Sequence, residues 1–120
     1  MRRSRRQPSA RVTRIGTLRI DHAARDVRIG NTPVSLAAKE YALLVQLASD
    51  PARVFTKDEL MRDVWGFRTP ARSRTVDSHA IRLRHKLTDA GDARFIQNVW
   101  GVGYRLIAPA ERHQPYESAA

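Results

Sequence analysis

The sequence predicts an α+β domain in which short antiparallel strands come first, three helices follow and a β-hairpin closes the chain. Three patterns carry this expectation. Brief apolar alternations broken by turn residues fill 15–36, helix-period apolar stripes fill 38–89, and two strand-like runs meet at Trp100-Gly101.

Residues 1–14 hold six arginines with Pro8 and Ser9 and almost nothing apolar, the composition of a disordered basic arm or linker. Such an arm either contacts phosphates or merely tethers the domain to a longer chain. From Ile15 the pattern changes. Ile15, Leu18 and Ile20, then Val27 and Ile29, then Val34 and Leu36 alternate with polar residues, while Asp21–Arg25 and Gly30–Pro33 supply turns. Three or four short strands fit this stretch.

Ala38 to Ser49 reads as a helix, with Tyr41, Leu44, Leu47 and Ala48 at helix spacing and Asp50-Pro51 as its stop. Thr56-Lys57-Asp58-Glu59 is a capping box that opens a second helix, with Leu60, Val64 and Trp65 as its apolar stripe and Gly66 as its end. Residues 67–73 form a loop, and a third helix runs from Ser73 to about Asp89. Phe95–Val99 and Val102–Ile107 form the hairpin, and 109–120 is a polar tail. The folded domain is therefore expected over 15–108.

Lys and Arg total 22 against 12 Asp and Glu, a formal charge of +10 that draws the chain toward polyanions, either nucleic acid or an anionic membrane surface. A merely well-solvated basic protein has the same composition. No apolar run approaches the ~20 residues of a spanning helix, so no membrane partner is expected. The absence of cysteine removes disulfides and thiol catalysis and agrees with a cytoplasmic location. Catalysis is not expected either. Asp77, Ser78 and His79 are adjacent on one helix and diverge, and the four histidines lack metal-ligand spacing. No metal or cofactor is expected.

The third helix is the most informative element. Val76, Ala80, Leu83 and Leu87 make one apolar stripe for the core. The opposite face carries Arg74, Ser78, Ile81, Arg82 and His85, bordered by Thr75, with no acidic residue at its centre. Arginine bonds bidentately to guanine, small hydroxyls reach bases or phosphates, and an isoleucine meets a thymine methyl. A solvated face explains the arginines as well, but it has no use for Ile81. On the flanks, Asp77 is placed to pair with Arg74 or Arg84, and His79, Arg84 and Lys86 to reach phosphates. A plain surface ion pair and a satisfied surface histidine are the competing explanations.

RTVDSHAIRLRHKL (74–87) followed by FIQNVWGVGYRL (95–106), with AAKEYALLVQLASDPARVFTKDELMRDVWG (37–66) before them, resembles the effector domain of OmpR/PhoB-type response regulators. The resemblance covers roughly 15–108. It implies a winged helix-turn-helix: a four-stranded N-terminal antiparallel sheet, three helices and a C-terminal hairpin wing. It further implies sequence-specific binding of double-stranded DNA for transcription regulation, with the third helix in the major groove and the wing at the minor groove or backbone. Asn98, Trp100 and Gly101 then lie at or beside the wing tip. Direct-repeat sites, head-to-tail homodimers on DNA, phosphorelay control through a receiver domain, and contact between the helix-connecting loop and RNA polymerase belong to the same resemblance. The loop residues placed for polymerase here are Arg68 and Arg72.

The chain departs from the family pattern at three points. Trp100 stands where some members have a wing arginine. Ala37 stands where a capping threonine is common, which removes about 1 kcal/mol from the first helix. No receiver is expected within 120 residues, so the chain is either an excised effector domain or a standalone regulator. An RNA-binding module and a protein-interaction module are the remaining alternatives. Against the first, Trp65, Phe95 and Tyr104 sit at apolar-periodic positions instead of forming a stacking platform. Against the second stands the basic face of the third helix.

Overall fold

Ile15, Leu18, Ile20, Val27 and Ile29 need a common shelter, and four short strands give them one. In a computed structural model that describes residues 11–66, 73–91 and 94–108, β1 (Val12–Ile15), β2 (Leu18–Asp21), β3 (Asp26–Ile29) and β4 (Thr32–Val34) form an antiparallel meander. The register sets Ile15 opposite Leu18, Leu18 opposite Ile29 and Ile20 opposite Val27, so the apolar side chains share the inner face. The outer face carries a row of Arg14, Arg19 and Arg28 beside a row of Asp21 and Asp26. Strand β1 begins inside the segment expected as a basic arm, taking in Val12, Thr13 and Arg14. Those residues have too little apolar character to signal a strand alone; pairing with β2 supplies the order.

Helix α1 (Ala38–Ala48) lays Leu43, Leu44 and Leu47 into the core. Its N-cap, Ala37, has no side-chain acceptor, as expected. Half of a capping box survives all the same, because the Ala37 N–H donates to Glu40 Oε1 at 3.0 Å. The full box opens α2: Glu59 N–H donates to Thr56 Oγ1 at 3.1 Å, and Thr56 N–H to Glu59 Oε1 at 2.8 Å. The helix expected to continue to Gly66 is α-helical only over Lys57–Leu60, then widens to a π turn over Met61–Trp65. Lys39 Nζ donates to the Val64 carbonyl at 3.1 Å and so satisfies an acceptor at the helix end.

Helix α3 (Ser73–Ala90) buries Val76, Ala80, Leu83 and Leu87, each at most 1% exposed. The wing strands β6 (Ile96–Val99) and β7 (Gly103–Leu106) pair antiparallel, with Asn98 opposite Tyr104. A two-residue strand before α2, β5 (Phe55–Thr56), adds to the other edge of β7 and makes a three-stranded sheet that the sequence did not signal. Gly103 permits that contact, since a Cβ there would lie 1.9 Å from the Phe55 carbonyl oxygen. One core, to which Phe55, Leu60, Phe95 and Leu106 also belong, joins both sheets and the helices.

Candidate nucleic-acid interface

Burying the Val76–Leu87 stripe turns the other side of α3 outward. Arg74, Arg82 and His85 are exposed, Thr75 and Ser78 are half-buried, and Ile81 keeps 47% of its surface in solvent. Ile81 is one of three large exposed apolar residues among those described; the others, Trp100 (87%) and Val102 (46%), are at the wing tip. Gly101 turns the tip with φ of 76°, a left-handed conformation that suits glycine. An open groove of about 450 Å³ runs between α3 and the wing, lined among others by Ile81, Arg84, Asn98, Trp100 and Gly101. Ile81 on the outer face of α3, Arg84 on its flank and the wing-tip residues thus border one concavity.

Among the described residues, the arginines of this surface form no ion pair. The ion pairs among the described residues join Arg28 to Asp26, Arg53 to Glu59, Lys57 to Asp77, Arg62 to Asp63 and Lys86 to Glu40. Arg74, Arg82 and Arg84 take part in none of them. Among the described residues, their guanidinium groups therefore meet no carboxylate partner.

Two flank residues are engaged internally. Lys86 Nζ sits 2.6 Å from Oε1 of Glu40, whose side chain is 3% exposed. Burial disfavours the Glu40 charge, but the Lys86 hydrogen bond, the Ala37 N–H and the charges of Lys86 and Arg82 outweigh it and hold the carboxyl below its usual range. His79 shares a 2.8 Å hydrogen bond between Nδ1 and the Thr75 carbonyl, and it meets the Trp65 ring edge-on at 5.0 Å between centroids.

Asp77 does not pair with Arg74 or Arg84 as expected. Its carboxylate accepts Lys57 Nζ, at 3.1 Å to Oδ1 and 3.2 Å to Oδ2, and the Tyr104 hydroxyl at 2.7 Å to Oδ1. The wing sheet carries Tyr104 to this side of α3, and the start of α2 carries Lys57 there, so closer donors displace the arginines. Burial and the Asp77 carboxylate both push the Tyr104 hydroxyl well above the usual phenol range, so it stays a donor.

Sequence reasoning missed Lys57 and Glu40. Glu40 did leave a trace: it falls on the helix stripe shared with Leu43, Leu44 and Leu47, an odd place for an unpaired carboxylate. Arg68 and Arg72, the loop residues placed for polymerase, lie outside the described residues. Among the described residues no helix is long and apolar enough to cross a membrane, and no group of three or more His, Asp or Glu could hold a metal ion.

Residues 31–106 match the family model described as "Transcriptional regulatory protein, C terminal". Transcriptional regulatory protein SrrA of Staphylococcus aureus is 43% identical over 103 residues, covering 83% of this chain and 43% of SrrA. The chain therefore spans less than half the length of the curated relatives it matches. Among solved structures, the DNA-binding domain of the response regulator AdeR, in complex with an intercistronic region, superposes with a TM-score of 0.71 at 36% identity, over 80% of this chain and 99% of that one. The Klebsiella pneumoniae RstA DNA-binding domain, in complex with the RstA box, gives 0.72 at 28% identity over 81% of this chain and 97% of its own. DrrB of Thermotoga maritima, an OmpR/PhoB homologue, gives 0.70 at 28% identity, over 81% of this chain and 44% of DrrB. The chain belongs to the family of transcriptional regulatory protein C-terminal domains, in its OmpR/PhoB-type winged-helix branch.

Proposed function

We propose that this chain binds double-stranded DNA sequence-specifically to regulate transcription, as the effector domain of a response regulator. The observation that carries the reading is the outer face of α3, where Arg74 and Arg82 lie unpaired among the described residues beside Ser78, His85 and a half-exposed Ile81. That face enters the major groove: the arginines reach guanine edges, Ser78 and His85 add hydrogen bonds, and Ile81 meets a thymine methyl. Thr75 and Arg84 flank it toward the phosphates. His79 and Lys86 belong to the same flanks, but their internal partners leave them less to offer. Asn98, Trp100 and Gly101 bring the wing to the minor groove or the adjoining backbone.

Family membership supports a wider context, proposed here with the same reading. The chain acts in the cytoplasm, binds direct repeats as a head-to-tail homodimer, answers to phosphorylation of a receiver domain, and offers Arg68 and Arg72 to RNA polymerase. Selection from random duplexes tests the core of the reading. A single enriched half-site is expected, with affinity falling on a log–log salt slope near −0.9 per phosphate contacted. No preference for any duplex over single-stranded RNA would overturn it. Enriched half-sites in tandem orientation would support the head-to-tail arrangement, and inverted ones would refute it.

A further inference from the structure

A closed ring of contacts ties the wing to α3 through the first residue of α2. The Lys57 N–H donates to the Val102 carbonyl in the wing turn, a long bond of 3.4 Å, while its Nζ reaches Asp77 on α3. Asp77 Oδ1 in turn accepts the Tyr104 hydroxyl at 2.7 Å, from the wing strand that follows the turn. The ring thus runs from the wing to α2, from α2 to α3, and from α3 back to the wing. Deeper in, the wing is anchored by Phe95, Ile96 and Leu106, which are buried in the core. Beyond the ring lies the tip, where Trp100 and Val102 are exposed and make no core contact of that kind. Among the hydrogen bonds of the described residues, the ring is therefore the outermost tie between tip and helix. It lies in the wall of the groove that also holds Ile81, Arg84, Asn98 and Trp100.

We propose that Asp77, with Tyr104 and Lys57, is a positioning residue that holds the wing tip at a fixed distance from the α3 reading face, so that both engage one duplex together. The inference rests on the DNA-binding reading. Asp77 touches no DNA in this arrangement, and its charge is answered by Lys57. Its effect is on the population of wing poses. A wing freed from α3 samples positions in which Trp100 and Asn98 miss the duplex while Arg82 is engaged. The apparent affinity then falls by the fraction of molecules still in the competent pose.

Tyr104→Phe tests this, because it removes only the hydroxyl and keeps the ring in the core. The probe is the duplex enriched by the selection experiment above, titrated against the full chain, the Tyr104→Phe variant, the Trp100→Ala variant and the double variant. Tyr104→Phe is expected to weaken binding about fivefold, the loss that follows if about a fifth of the molecules keep the competent pose. In the Trp100→Ala background the same change is expected to have almost no effect, since the contact being positioned is already gone. Lys57→Met, which opens the ring elsewhere, is expected to behave like Tyr104→Phe. Unchanged affinity for Tyr104→Phe overturns the proposal. So does an equal loss with and without Trp100, which would place the hydroxyl's effect on overall stability or on α3 itself. A wild-type chain that enriches no duplex overturns the DNA-binding reading, whereas normal wild-type binding with an indifferent Tyr104→Phe variant overturns this inference alone.

Discussion

Lys86 on α3 donates to the buried carboxylate of Glu40 on α1, 2.6 Å away, and this pair fastens the outward-facing helix to the first helix of the core. Glu40 also accepts the Ala37 N–H, so one carboxylate both caps α1 and anchors α3. Replacing Glu40 with alanine removes both bonds and strands the α1 terminus. We expect a loss of about 2–3 kcal/mol in denaturant unfolding, the sum of a charged hydrogen bond and a helix cap. The folded-state pKa of Glu40 lies below its ordinary 4.5. Its stabilising contribution is therefore fully present above that value and is lost as pH falls through the folded pKa. The stability gap between wild type and Glu40→Gln should narrow below about pH 4.5, and a gap that widens there would contradict the assignment.

The same pair separates two cations of α3 that the sequence alone offers to DNA, one on the outer face and one on the flank. Arg82 is exposed and takes part in none of the ion pairs among the described residues, whereas Lys86 is held by Glu40. Arg82→Ala should weaken duplex binding by about 1–3 kcal/mol and relax preference at one base pair, if its guanidinium is bidentate to a guanine. A uniform loss across sequences would make it a phosphate contact instead. Lys86→Met should lower the unfolding midpoint and leave the salt slope of binding nearly unchanged. A slope shallower by about 0.9 for Lys86→Met would show that Lys86 leaves Glu40 for a phosphate on binding.

How much of this was open to reading in one dimension differs by element. Period alone separated Val76, Ala80, Leu83 and Leu87 from Arg74, Ser78, Ile81, Arg82 and His85, because an amphipathic helix writes both its faces into its spacing. The capping box at Thr56 was equally local. Strand β5 was not, since two residues are too few to alternate and only the approach of β7 makes them a strand. The partners of Asp77 lie 20 and 27 positions away, and Lys86 lies 46 from Glu40. Arg74 and Arg84 were nearer in sequence, but tertiary packing chose the donors. Spacing shows which residues face outward; it does not show which of those are already engaged by a neighbour from another element.

Gly103 should tolerate no side chain. A Cβ there would sit 1.9 Å from the Phe55 carbonyl oxygen and 2.9 Å from the Thr56 Cα, both backbone atoms that cannot swing aside. Gly103→Ala should cost about 3 kcal/mol or more and detach β5 from the wing, visible as lost amide protection at Lys57, whose N–H donates to the Val102 carbonyl. Gly101→Ala makes the contrast. Its Cβ meets nothing within 4 Å, so only the backbone conformation at φ of 76° resists it, at about 1 kcal/mol. Equal losses for the two variants would refute the close approach.

Trp100 gives the wing a surface unlike that of an arginine. It is 87% exposed, with Val102 beside it at 46%, so the tip presents apolar surface to the solvent that a duplex would displace. An indole packed on deoxyribose or wedged at a base step adds affinity by desolvation and dispersion, without releasing a counterion. Trp100→Ala should therefore weaken binding of the selected duplex by about 1–2 kcal/mol while leaving the log–log salt slope unchanged. Trp100→Arg should exceed the wild-type affinity at low salt and steepen the slope by about 0.9, the signature of one added phosphate contact. The crossing of the two curves is the decisive feature, with tryptophan the better wing residue at high salt and arginine at low. Parallel curves for tryptophan and arginine would mean that the tip does not meet the duplex, and the wing would then have to be moved away from the DNA.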